Sequence, residues 1–239
     1  EERECRDLLV EHAKKKVARG FKSLKTPFIC PYRHIETPAM VSRFVERIAE
    51  IREAIGDDID LAVDFHGRVS AAMAPWLCRE LEPYGLMFVE EPVLPENVDA
   101  MARVASMTTI PIATGERKFT TFEFRAASVL QPDLCHAGGI SQVMKIAAMG
   151  ENYYCSVAPH NPLGPLALAA CLQVDTVIPN FTAQEHPSFE DGWDLGGPYL
   201  KKPFEIIDGY INVPQGPGMG IEVDEEGIKE NMYDGRWET

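Results

Sequence analysis

The chain has 239 residues, enough for one barrel-sized domain or two small ones, and 45% of them are hydrophobic, which supports a substantial core and argues against disorder. A formal net charge of −14 argues against nucleic acid as a partner. It does not exclude a small anionic substrate, because a bound cation can dominate the local field. No apolar run reaches membrane-spanning length, and the six cysteines are scattered without a C-x-x-C pair, so they read as reduced, mostly buried thiols of a cytoplasmic protein.

Residues 4 to 19 read as a helix ended by Gly20, with Lys14, Lys15 and Lys16 on a solvated face. A short strand at 21 to 25 and a proline-rich loop at 26 to 38 follow. Val41, Phe44, Ile48, Ile51 and Ile55 fall at helical spacing and predict an amphipathic helix capped by Gly56. From there strands and helices alternate. Strands are predicted at 59 to 63, 86 to 89, 111 to 114, 128 to 131, 154 to 158 and 176 to 179. The helices between them are predicted at 71 to 82, 97 to 106 (with Asn97 as N-cap), 120 to 126, 140 to 152 and 165 to 173.

Strict alternation implies a parallel sheet. Neither G-x-G-x-x-G nor G-x-x-x-x-G-K-[ST] is present, which disfavours an open nucleotide-binding sheet. Polar residues close nearly every strand instead, as in an α/β fold of the TIM-type (β/α) barrel kind. The count is seven strands against eight for a closed barrel, so one is expected before Glu1. Residues 1–181 read as a partial barrel. Residues 182–239 read as a C-terminal tail, with extended pieces at 210 to 213 and 220 to 223 flanking a Gly/Pro turn.

Three of the strands end in a carboxylate: Asp64, Glu90 and Glu116, each 26 residues after the last. One such residue alone is most simply a helix cap or a surface group. Three at equal spacing predict a shared site for a hard cation such as Mg²⁺, which takes oxygen ligands. Glu91, next to Glu90, should be turned away by strand alternation. His66 follows Asp64 by two residues, so in an extended chain both point the same way. His160 closes the strand after the one that leads into Asp133, and an Asp133–His160 hydrogen bond would orient the imidazole as a base. His136 reads as structural or as a helix-start group. His12, His34 and His186 have no context that raises them above ordinary histidines. A cation flanked by two histidines suits removal of the weakly acidic proton beside a carboxylate, with the second histidine protonating a leaving hydroxyl. Serine- or cysteine-nucleophile motifs and H-E-x-x-H are absent from the sequence.

The segments DFHGRVSAAMA, FVEEPVLPEN, IPIATGER, LQPDLCHAGGI, APHNPLGPLALAACLQVD and GPGMGIEVDEE together resemble the enolase superfamily, in its mandelate-racemase-like branch. The resemblance implies the modified barrel of that family, lacking here the N-terminal α+β capping domain and the first barrel strand. It implies Mg²⁺ on Asp64, Glu90 and Glu116, His160 with Asp133 as the base at C2, and His66 as the acid at the C3 hydroxyl. Glu185 is implied to face the substrate. The activity implied is dehydration of a sugar acid, D-galactonate first, to a 2-keto-3-deoxy acid through an enediolate, in an even-numbered homo-oligomer up to an octamer. The tail at 205 to 225 is implied to pack against the capping domain.

Two departures bear on this. The Lys-x-Lys of the family's racemases is matched only by Lys25-Thr26-Pro27, which disfavours lysine-based chemistry. The stretch from Phe124 to Ser128 is shorter than the family pattern. Alternatives are a dehydratase of gluconate or mannonate, a racemase or epimerase using His66 and His160 as opposed bases, and a non-catalytic barrel. Exchange of the C2 proton without loss of water separates the second from the first, and absence of any exchange marks the third.

Overall fold

A computed structural model describes residues 2–27, 33–124, 127–188 and 192–231. Six parallel strands form one sheet in chain order: β1 (Ser23–Pro27), β2 (Asp60–Asp64), β3 (Val89–Glu90), β4 (Ile112–Thr114), β5 (Val129–Leu130) and β6 (Ser156–Val157). Helices α1 (Glu2–Ala18), α2 (Pro38–Ile55), α3 (Ala74–Leu81), α4 (Val98–Ser106), α5 (Ile140–Glu151) and α6 (Pro165–Asp175) alternate with them, and a 3-10 turn at Thr121–Glu123 stands between β4 and β5. Sequential order with one crossover per strand is the (β/α) barrel arrangement, and the sheet curls as the larger part of such a barrel.

The strand residues divide by face. Leu61, Val63, Val89 and Ile112 pack with residues of α2, α3 and α4. Ala62, Phe88, Ala113, Val129 and Ala158 form a separate cluster on the inner face of the curl. Three alanines among those five keep the inside narrow. The α2 helix shows how local chemistry sets its place. Thr37 caps it by accepting from the Met40 N–H at 3.4 Å, Pro38 occupies the first turn, and Val41, Phe44, Ile48, Ile51 and Ile55 are all buried. Its last turn is tied to the entry of β2: Arg52 donates to the carbonyls of Gly56 at 2.7 Å and Ile59 at 2.6 Å. Asn97 caps α4 through the Ala100 N–H at 3.0 Å.

The predicted strand at 176 to 179 does not form. Val177 and Ile178 continue to donate to Val174, so this segment is the unwinding end of α6, with Ile178 buried against α5. An apolar pair at a helix end reads like a short strand, and periodicity cannot separate the two over four residues. Parallel pairing resumes at Phe181, opposite Val157. The helix predicted at 120 to 126 is only the 3-10 turn, closed by a Thr120–Glu123 capping box. Positions 125 and 126 within it lie outside the described residues, as do positions 28 to 32 of the proline-rich loop predicted at 26 to 38. Among the four cysteines whose burial is described, Cys78 and Cys171 are buried, Cys155 is partly so and Cys135 is exposed.

In the tail, β7 (Ile206–Ile207) and β8 (Tyr210–Ile211) form a hairpin about Asp208 and Gly209, both with positive φ, as a two-residue turn of this hand requires. Ile211, Ile221 and Val223 pack with Leu168 and Leu172 of α6, and residues 220 to 223 make a single bridge, Val223 to Leu200, rather than a strand. A short helix, α7 (Glu225–Glu230), follows. No helix among the described residues is long and apolar enough to cross a membrane.

Candidate metal and proton-transfer site

The polar residues singled out from the sequence gather at the C-terminal ends of the strands. Asp64 is the last residue of β2 and stands level with Glu90, the last of β3. Glu90 in turn stands level with Ala113, so Glu116 lies beyond the end of β4. Equal spacing along the chain is therefore not equal height on the sheet. The chain reaches Glu116 through Gly115, where a Cβ would sit 2.6 Å from the Gln131 carbonyl carbon and 2.7 Å from Phe124 Cε1. Only a glycine lets the exit of β4 press this closely on β5.

His66 reaches the same place by a route that alternation does not describe. Extended backbone stops at Asp64, Phe65 turns into the core, and His66 takes a positive φ of 51°. The Asp64 side chain accepts from the His66 backbone N–H at 2.7 Å and so closes the turn. The imidazole Nδ1 then lies 3.3 Å from Glu116 Oε1 and 3.6 Å from Asp64 Oδ2. Asp64, His66 and Glu116 form a compact group in which one ligand atom from each lies within 4.8 Å of the others.

Glu90 is held differently. It is fully buried, and its Oε2 accepts from Lys25 Nζ at 2.6 Å and from Gln131 Nε2 at 2.9 Å, while Oε1 has no hydrogen-bond partner. Lys25 also pairs with Glu185 at 2.6 Å, and the other Glu185 oxygen accepts from the Asn161 N–H at 3.2 Å. Lys25 was legible only as a departure from a motif, yet it stands at the centre of this network. The available signal was its register: it lies level with Ala62, an inner-face residue. The inner face below holds a cavity of about 260 Å³, lined in part by Lys25, Gln131 and Glu185.

His160 and Asp133 meet across neighbouring strand ends. Asp133 Oδ2 lies 2.8 Å from His160 Nδ1, and Oδ1 accepts from the backbone N–H of Cys135 at 2.7 Å and of His136 at 3.2 Å. With Nδ1–H given to Asp133, the His160 Nε2 lone pair faces inward, 3.5 Å from Glu116 Oε2. The two imidazoles thus flank the Glu116 carboxylate, one near each oxygen. His136 Nδ1 lies 2.8 Å from the Glu116 carbonyl and steadies that backbone, in keeping with a structural role. His186 belongs to a second, buried pair with Asp194 at 2.9 Å, which sequence alone did not reveal because nothing in the intervening residues marks the contact.

Electrostatics follow from the crowding. Burial and the neighbouring Glu90 push the Asp64 carboxyl up to about 7. Burial and the charge of Glu91 push Glu116 up to about 8. Burial opposes charge on Lys25 and Glu90 as well, but each stabilises the other, so the Lys25 pKa is raised and that of Glu90 lowered. Burial also works against protonated His160, but the bond to Asp133 outweighs it and raises the imidazole above its ordinary value. His66 is lowered by burial and by the Arg117 guanidinium.

This donor set fits a hard divalent cation. Burial, helped by the charges of Glu90 beside Asp64 and of Glu91 beside Glu116, holds both carboxyls well above the ordinary carboxylate range, and a buried Glu90 oxygen is left without a donor. The fold and the site together define a (β/α) barrel with an acidic, histidine-flanked centre at the C-terminal strand ends. The chain belongs to the enolase C-terminal domain-like family, whose sequence pattern matches residues 8–227. It is 49% identical over 202 residues to a D-galactonate dehydratase of Ralstonia pickettii, covering 80% of this chain and 53% of that protein. It is 46% identical over 222 residues to a D-galactonate dehydratase of Xanthomonas euvesicatoria, covering 89% of this chain and 58% of that one. The chain therefore spans little more than half the length of these relatives. Among solved structures it is similar to a mandelate racemase/muconate lactonizing enzyme from a Sulfitobacter species, with a TM-score of 0.87 at 37% identity, covering 97% of this chain and 60% of that one.

Proposed function

We propose that the chain carries the active site of a Mg²⁺-dependent sugar-acid dehydratase, with D-galactonate as the first substrate to test. The observation that carries the reading is the pair of imidazoles on either side of Glu116, one oriented by Asp133 and the other fixed by the turn at Asp64. The names of the curated relatives support the choice of substrate class.

Asp64, Glu90 and Glu116 would hold the cation. When bound, Mg²⁺ supplies the positive charge that offsets a substrate carboxylate as it gains electron density. His160 takes the C2 proton on Nε2, and Asp133 stabilises the imidazolium that results. The electron pair left at C2 forms the C2–C3 double bond as the C3–O bond breaks. His66 gives its proton to that oxygen, which departs as water. The enol that remains tautomerises to the 2-keto-3-deoxy acid. Glu185, held by Lys25 and the Asn161 N–H, would face the substrate.

The test is a mass-spectrometric screen of the full-length protein with Mg²⁺ against a panel of aldonic acids. Loss of one water from galactonate supports the full reading. Loss from gluconate or mannonate alone retains the mechanism and changes the substrate. Exchange of C2 hydrogen in D₂O without any water loss overturns the dehydratase reading in favour of a racemase or epimerase.

A further inference from the structure

Glu91 and Arg117 have no part in the scheme above, yet they form an ion pair at the strand ends whose carboxylate is fully buried. Glu91 is fully buried and adopts a positive φ of 37°, a conformation unfavourable for a non-glycine residue. Its carboxylate receives two N–H groups of Arg117, from Nη2 and, at 3.3 Å, from Nε. Such a two-point pairing fixes the guanidinium plane as well as its position.

The turn that carries His66 rests on this pair. The Gly67 N–H donates to the Glu91 carbonyl at 2.9 Å, and the Phe65 N–H donates to the Glu90 carbonyl at 2.9 Å, so the backbone is held on both sides of His66. A Cβ on Gly67 would lie 2.7 Å from Arg117 Nη2 and 3.0 Å from Leu94 Cδ2. Gly67 is therefore packed directly against the guanidinium, with a positive φ of 64° that also suits glycine. The His66 side chain is 46% exposed, and its imidazole meets only the carboxylates of Glu116 and Asp64 among the ion pairs of the described residues.

We infer that the Glu91–Arg117 pair is a positioning element for His66, setting where its imidazole stands relative to Glu116. His160 rests on Asp133 instead, so the two histidines have separate supports. The consequence is a division of the reaction: the pair serves the departure of water and not the removal of the C2 proton. This division rests on the dehydratase reading, whereas the positioning itself does not.

The experiment uses Arg117→Met, Arg117→Lys and Gly67→Ala in the full-length protein, with two readouts. The first needs no substrate: ¹⁵N-labelled histidine NMR of the Mg²⁺-loaded protein. Arg117→Met and Gly67→Ala should shift or broaden the His66 ring signals and leave those of His160 in place, with Arg117→Lys intermediate. Unmoved His66 signals in both variants overturn the inference, and a variant that fails to fold is replaced by Arg117→Lys, which keeps the charge. The second uses D-galactonate in D₂O with Gly67→Ala, because Arg117 Nε itself lies 3.9 Å from Glu116 Oε1 and its variants would also touch the carboxylate group. Water loss should fall on the order of a hundredfold while C2 exchange stays near the wild-type rate. A parallel fall of both rates, the mark of a merely structural pair, also overturns it. If the NMR result holds and wild type neither exchanges nor dehydrates galactonate, positioning stands and the dehydratase reading falls.

Discussion

His160 and Asp133 are joined by a 2.8 Å contact between Nδ1 and Oδ2, and the other Asp133 oxygen is occupied by two backbone N–H groups. Asp133 is therefore immobile on both oxygens, and it can present only an acceptor to the imidazole. That fixes the tautomer with the lone pair on Nε2, the nitrogen that faces the carboxylate cluster.

Asp133→Asn keeps the shape and offers His160 an amide in place of a carboxylate. The imidazolium loses its partner and the wrong tautomer becomes accessible. C2 exchange in D₂O should fall by about 10³-fold or more, with Mg²⁺ affinity close to wild type because Asp133 does not reach the cation group. Wild-type exchange in this variant would remove His160 from the role of base.

The proposed metal site predicts a proton count. Without a cation, Asp64 titrates at about 7 and Glu116 at about 8, so near neutrality both carry part of a proton. Both oxygens must be ionised to bind Mg²⁺. Binding therefore releases protons at pH 7, and affinity rises with pH until both groups are ionised, levelling above about 8. Calorimetry of Mg²⁺ binding in two buffers of different ionisation heat checks this. A heat that does not depend on the buffer at pH 7 would mean that the carboxylates are already ionised.

Much of this site was legible in the sequence, and the reasons are specific. Asp64, Glu90 and Glu116 each terminate a hydrophobic run, and a parallel barrel gathers such ends at one rim whatever the details of packing. Asp133 and His160 fall at consecutive strand ends for the same reason. The sequence could not show how each group is held. Glu116 stands beyond its strand because Gly115 permits a close approach to Gln131, and His66 points inward through a turn at positive φ rather than by alternation. Period-two reasoning ends where the strand ends, and both residues lie past that point. Lys25 was weighed only as half of a Lys-x-Lys motif, and its place at the centre of the site shows once the register sets it level with an inner-face alanine. The strand predicted at 176 to 179 was lost to the helix before it, since four apolar-rich residues satisfy either period.

Lys25 carries the next prediction. Among the described residues it is the cationic side chain in contact with Glu90, with Gln131 as the other donor. Lys25→Met leaves Glu90 buried beside Asp64 and Glu116 with no positive charge near it. Removing one partner of such a pair costs about 3 kcal/mol, so the metal-free variant should unfold well below wild type. Mg²⁺ should restore most of the difference, because the cation answers the same repulsion. Thermal melts with and without Mg²⁺ measure both effects, and equal midpoints for metal-free wild type and variant would mean that the Lys25–Glu90 contact contributes nothing to stability.

Gly115 and Gly56 separate two reasons for a glycine, and the difference can be measured. At Gly56 a Cβ would meet nothing within 4 Å, and the positive φ of 74° is the sole constraint. With ψ at −178° this is a region that L side chains scarcely enter, so Gly56→Ala should cost about 1–3 kcal/mol. At Gly115 the added carbon would meet backbone at 2.6 and 2.7 Å, so the strand exit itself must move and Glu116 with it. Gly115→Ala should cost about 2 kcal/mol or more, and it should also weaken Mg²⁺ binding, which Gly56→Ala should leave alone. Urea unfolding paired with Mg²⁺ titration distinguishes the two variants. Wild-type Mg²⁺ affinity in Gly115→Ala would show that Glu116 does not depend on the close approach of β4 to β5, and with it would go the account of how the third carboxylate reaches the site.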